Sequence, residues 1–345
     1  MNNKLISKRK PNYEVGAELS KYLIRYNRDV EIPVCYEDLM RYTNSIQLMD
    51  DDGKDTLWIS VAYNQTEQDE IHEGLKHIYK KMTMDDLDTS SDTFRVDRID
   101  YCTFGNSHPF RIKIINVFND NYDYFYVKKA DASRIYGLEL EHILSPNRIH
   151  YIVNKKTLIE EHIMGVPGDQ FLETRSNLKK IEYVRIAKEF VKFNERCMIR
   201  LLGDMRAYNF VMIETHDFDQ NQYRIRAIDF DQQSYEGRLN IYKPQFYKEN
   251  MPFVELVAKV LTPETIAQYQ REERSMIARR VKSSKKRLNS LLDVMTKDRI
   301  SPDEKVAQLS KELYEYIKDS SFKNCKSMGE LVRSGINFLL KYYLE

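Results

Sequence analysis

Asp204 is followed five residues later by Asn209, and a second acid, Asp229, ends an apolar run further on, with Asp231 two residues beyond it. Phe210 to Ile213 and Tyr223 to Ile228 have the composition of two short strands. The polar segment Thr215 to Gln222 turns the chain back between them. A hairpin of that kind brings Asn209 and Asp229, at its open end, close together. An amide oxygen and a carboxylate that ligate Mg²⁺, with another carboxylate free nearby, are what magnesium-dependent phosphoryl transfer needs.

The elements that must position these groups are legible upstream. Asn177 to Ile199 carries Leu178, Ile181, Val184, Ile186, Phe190 and Phe193 at helical spacing, a buried helix that delivers the chain to Asp204. Before it, Phe94 to Phe104, Arg111 to Phe118 and Tyr122 to Val127 alternate with period two and read as an antiparallel meander. Gly105 to Pro109 and Asn119 to Asn121 are its turns. The third strand runs into Lys128 and Lys129, and a one-residue shift turns either lysine toward the other face. A short helix to Leu144 carries Glu139 and Glu141 and is stopped by Ser145-Pro146-Asn147. Two more strands follow, His150 to Val153 and Thr157 to His162. From Pro252 to Glu345 the pattern is mostly helical.

Residues 1–93 read as an N-terminal accessory domain with helices over Tyr13 to Tyr26 and from Thr66 to Met82, and a strand at Thr56 to Tyr63. The acidic stretch Asp85 to Asp92 reads as a solvated linker and marks the first boundary. The chain has 345 residues, enough for two or three lobes, with 54 Lys+Arg against 53 Asp+Glu. That balance gives no general argument for nucleic acid or an anionic membrane surface. The basic run Arg271 to Arg287 lacks interleaved aromatics and reads as the solvated face of a long helix. Four scattered cysteines match no metal or redox spacing, and no apolar run reaches the length of a membrane helix or signal peptide, so a cytoplasmic protein is expected.

Taken in order, the meander with Phe125-Tyr126-Val127-Lys128, the segment Gly203-Asp204-Met205-Arg206-Ala207-Tyr208-Asn209 and the run Ile228-Asp229-Phe230-Asp231 resemble the protein-kinase-like superfamily, nearest its aminoglycoside-phosphotransferase branch. The resemblance implies an α+β, two-lobed fold. An antiparallel N-lobe would span residues 94–164 and a mostly helical C-lobe residues 165–345, with the catalytic hairpin at 202–231 and the N-terminal α/β segment added. It also implies ATP and Mg²⁺ as cofactors. Asp204 takes or orients the acceptor's proton; Asn209 and Asp229, with Asp231 as a further ligand, hold the metal; Lys128 bridges the α/β-phosphates. Glu141, or Glu139 in the alternative register, holds that lysine. Glu161, His162 and Ile163 sit where the inter-lobe hinge would meet the adenine edge. Gly105 and Ser107 belong to the turn that would cover the phosphates, and Ile112, Val127 or Met212 would wall the base.

The sequence also departs from the family. Leu202 stands where a histidine is common, Asp231 where many protein kinases have glycine, and the turn at Gly105 has one glycine only. The expected activity is ATP/Mg-dependent phosphotransfer to a hydroxyl of a protein or small molecule, or nucleotidyl transfer on the same fold. A different class is also open: a kinase-like scaffold without turnover that meets a protein partner through the N-terminal domain, the tract 232–250 and the basic helix. Separately, each motif residue has an ordinary explanation, such as a helix cap, a left-handed turn or an edge-strand lysine.

Overall fold

The fold was obtained as a computed structural model, which describes residues 10–83, 93–104, 107–175, 178–217 and 220–343. The acidic stretch Asp85 to Asp92, Gly105 and Asn106, and Phe218 and Asp219 lie outside them. The chain divides into two compact units.

One unit takes the described residues up to Ala132 together with Ile149–His162. Its helices are α1 (Ala17–Arg25), α2 (Tyr36–Leu39) and α3 (Gln65–Thr83). Its strands are β1 (Asn44–Met49), β2 (Asp55–Ala62), β3 (Phe94–Cys102), β4 (Phe110–Asn116), β5 (Tyr122–Lys129), β6 (Tyr151–Asn154) and β7 (Thr157–Glu161). They form one seven-stranded sheet in the order β1-β2-β3-β4-β5-β7-β6, with every neighbouring pair antiparallel.

The expected boundary near residue 93 does not separate two bodies. β2 pairs with β3, Trp58 opposite Cys102 and Ser60 opposite Asp100. The apolar stripe of α3 (Ile71, Leu75, Ile78) joins Ile99, Ile112, Ile114, Phe125, Val127 and Ile159 in one core. The physical reason is period two: β4 and β5 each bury alternate residues, and that apolar face needs a cover, which α2 and α3 provide. A bulge between Val96 and Arg98 keeps both Val96 and Ile99 on the core side.

The other unit takes Ser133–Arg148 and the described residues from Ile163 onward. Its first helix, α4, spans Ala132–Leu144. Then come β8 (Val166–Pro167), α5 (Gly168–Phe171), α6 (Lys180–Arg200), and a hairpin of β9 (Phe210–Asp217) and β10 (Gln220–Ala227). β8 adds a third strand beside β9, with Val166 opposite Met212. α6 presents Ile186, Phe190 and Phe193 to the interior, and Phe210 stacks within an aromatic group made by Phe190, Phe193 and Phe253. Five helices complete the unit: α7 (Met251–Val260), α8 (Pro263–Ser283), α9 (Lys285–Met295), α10 (Asp303–Ile317) and α11 (Met328–Tyr343). The overall class is α+β, a sheet-rich half and a helical half. Among the described residues no helix is long and apolar enough to cross a membrane.

Candidate active site

The approach to Asp204 begins with the end of α6. Leu201 is left-handed (φ 54°), and the Leu202 amide donates to the Cys197 carbonyl at 2.9 Å, which closes the helix and reverses the chain. Asp204 is itself left-handed (φ 55°), a conformation an aspartate tolerates but does not favour. Its backbone amide donates to the Tyr247 hydroxyl oxygen at 3.0 Å, and Tyr247 in turn donates to the Ile241 carbonyl. The Asn250 side chain donates to the Met205 carbonyl at 3.0 Å. The tract 232–250, by sequence a candidate surface for a protein partner, therefore clamps this loop.

The Asp204 carboxylate accepts from Arg206 Nε at 2.7 Å, and Arg206 also reaches Glu249 at 3.2 Å. The guanidinium lies 5.2 Å from the centre of the Tyr247 ring. Burial pushes the Asp204 carboxyl up from its ordinary value. Arg206 opposes that rise, while the negative charges of Glu249 and Asp231 add to it. The Asn209 amide nitrogen donates to the Asp204 carbonyl at 2.7 Å, which turns its oxygen the other way.

The hairpin has the expected consequence. Phe210 pairs with Ala227, and the Ile228 amide donates to the Asn209 carbonyl at 3.0 Å, so Asn209 and the Asp229 segment flank the same open end. Asp229 Oδ1 accepts the Asp231 backbone amide at 2.9 Å, which turns the Asp229 carboxylate along the segment toward Asp231. What meets them is Arg134 of α4: one guanidinium nitrogen reaches Asp229 at 3.2 Å and also contacts Asp231. Nothing in the sequence pattern pointed to Arg134. Its helix position offers no motif, and the pairing spans about a hundred residues of chain.

The lysine expectation is half corrected. Lys128 lies on the face of β5 opposite the core, and its amine donates to Glu160 of β7 at 2.7 Å, with both side chains buried. Lys129 points the other way, over the Tyr36 ring. Glu141 and Glu139 are committed elsewhere: Glu141 pairs with Arg200 of α6, and Glu139 takes a two-pronged pair from Arg287 of α9 at 2.7 and 3.0 Å. The carboxylate that holds Lys128 therefore comes from the neighbouring strand. Register explains this. Glu160 sits opposite Tyr126, two residues from Lys128 on the same face of the sheet. Alternation in Thr157 to His162 could have identified it, had the β5–β7 pairing been known.

The remaining expected contacts scatter. The Glu161 amide donates to the His150 carbonyl inside the first unit, so that amide is not available to a base edge. His162 shares a hydrogen bond with the Tyr126 hydroxyl at 3.2 Å, and burial lowers its imidazole pKa. Ile163 is buried and begins the second segment of the other unit. Ser107 is partly buried, and Gly105 lies outside the described residues. Ile112 and Val127 lie in the core against α3, and Met212 is buried in the three-stranded sheet, so all three pack as interior residues. In the basic run, Arg274 pairs with Glu195, Arg280 with Glu273 and Arg287 with Glu139, so three of its eight basic side chains are engaged inside the helical unit.

Among the described residues no three His, Cys, Asp or Glu groups gather as a metal-holding cluster. The oxygen set of Asn209, Asp229 and Asp231 nevertheless suits a hard cation, because the Asn209 oxygen is turned away from its own amide contact and Asp229 is a third exposed. Comparison with family models and with curated proteins returns no match for this chain.

Proposed function

We propose that this chain is an ATP- and Mg²⁺-dependent phosphotransferase of the protein-kinase-like kind, acting on a hydroxyl of a protein or small molecule. The observation that carries this reading is the Asp204 loop. A partly buried carboxylate with a raised pKa is held by Arg206 on a loop that Asn209 braces through the Asp204 backbone carbonyl, at the open end of a hairpin whose second strand runs out into Asp229 and Asp231.

In this reading an acceptor hydroxyl loses its proton to Asp204, its oxygen bonds to the γ-phosphorus, and the bond from that phosphorus to the bridging oxygen breaks, releasing ADP. A raised carboxyl pKa favours proton acceptance in the transition state. Arg206 and the Tyr247 hydroxyl restrain the loop so that the carboxylate meets the hydroxyl in one orientation. A bound Mg²⁺ would supply charge neutralisation to the phosphates, with Asn209, Asp229 and Asp231 holding it. Lys128, kept extended by Glu160, is the candidate phosphate contact of the sheet unit.

Transfer of radiolabelled γ-phosphate from ATP, to this chain or to an acceptor library, tests the reading. Asp204→Asn is expected to lower transfer about a hundredfold or more while nucleotide-dependent thermal stabilisation survives. If the wild-type chain binds no nucleotide, the reading falls. Label from the α-position appearing on the product would instead indicate nucleotidyl transfer.

One observation favours a second reading, a kinase-like scaffold without turnover: the Arg134 guanidinium already satisfies Asp229 and Asp231. Nucleotide binding with no transfer under any acceptor would support it.

A further inference from the structure

Arg134 is only 1% exposed, and its helix is pinned to the same unit at several points. Ser133 donates to the Gln233 carbonyl, Tyr136 to Asp298, Glu139 pairs with Arg287 and Glu141 with Arg200. Gly137 of α4 faces the Asp229 segment so closely that an added Cβ would meet the Cβ atoms of Phe230 and Gln233 at 3.1 Å. α4 is therefore held against the very residues whose carboxylates Arg134 meets. Asp229 and Asp231, whose carboxylates meet the same Arg134 nitrogen, would repel each other without a cation. A guanidinium, charged at every accessible pH, provides one permanently.

Resting on the reading above, we infer that Arg134 is a built-in cation that competes with a divalent metal for Asp229 and Asp231, so that metal enters only as the guanidinium rotates away. The helix contacts place that movement in the side chain rather than in α4. An arriving anionic phosphate gives the displaced guanidinium a new partner of the kind it binds best. The metal site of the nucleotide-free protein is therefore weak by construction.

Mn²⁺ titrated into the full-length, nucleotide-free protein and followed by electron paramagnetic resonance tests this without any turnover. Arg134→Met removes the charge but keeps the chain length, and it is expected to bind Mn²⁺ about tenfold or more tightly than wild type. Arg134→Lys keeps a single compact charge without the fork, so its affinity falls between the two. Adding Asp231→Asn to Arg134→Met should reverse the gain. Equal affinity in wild type and Arg134→Met overturns the inference. If Arg134→Met does not fold, the comparison of Arg134→Lys with wild type decides, and no tightening there also overturns it. Tight Mn²⁺ binding in the variants with no phosphate transfer in the wild type would leave this inference standing and sink the phosphotransferase reading. Transfer without any change in metal affinity would do the reverse.

Discussion

At the scale of single residues, buried charge decides most of what can be expected. Lys128 and Glu160 are both nearly excluded from water, and removing one member leaves the other uncompensated. Glu160→Ala should cost about 3 kcal/mol by chemical denaturation, and replacing both partners by apolar residues should recover much of it. Asp204 behaves differently. Its pKa is raised on folding, so between the unfolded and folded values the native state binds more protons, and its contribution to stability falls as pH rises through that window. Asp204→Asn is therefore expected to be as stable as wild type or slightly more so at neutral pH, with the difference closing as pH drops to the ordinary carboxylate range. Thermal melts across that range test it. The same upward shift moves the acid limb of any transfer rate to a higher pH than an ordinary aspartate would give, a point a pH–rate profile reads directly.

Among the elements, the three-stranded sheet and the turn before it set the position of the Asp204 loop. Gly168, which opens α5, lies where an added Cβ would meet the Ala207 carbonyl oxygen at 2.6 Å and the Phe210 ring at 2.2 Å. Those are the residues just before and at the start of β9, so Gly168→Ala must push the 203–210 loop. A loss of about 1–3 kcal/mol is expected, together with a drop in transfer larger than the drop in nucleotide binding. α4 is the other decisive element. By sequence it is the helix that hands a glutamate to a lysine; in the structure its glutamates bind arginines of α6 and α9 and its arginine binds the hairpin acids.

For the whole molecule, the units are not consecutive along the chain. Ser133–Arg148 belongs with the helical unit although sheet strands precede and follow it. Residues 1–93 are likewise no separable addition, since β1, β2 and α3 finish the sheet and cover its apolar face. Deleting them should expose Ile99, Ile112, Ile114 and Phe125, giving an aggregating fragment without a cooperative melt, as expression and circular dichroism would show. A truncation that folded normally would restore the accessory-domain view. The tract 232–250 joins the site for a related reason: its Tyr247 and Asn250 carry hydrogen bonds that the loop backbone would otherwise have to find in water.

What the sequence determined by itself was local. Period two marked β3, β4 and β5; composition and a polar turn marked the β9–β10 hairpin; helical spacing marked α3 and α6; and the hairpin implied that Asn209 and Asp229 would flank one open end. These signals are carried by neighbours a few residues apart, so one segment suffices to read them. Only the tertiary structure decided which charge meets which: Glu160 rather than Glu141 for Lys128, and Arg134 for Asp229 and Asp231. It also decided that the N-terminal hairpin joins the main sheet. Such pairings depend on strand order and helix facing, and because the entropy of closing a loop grows only slowly with its length, separation along the chain scarcely restricts the choice.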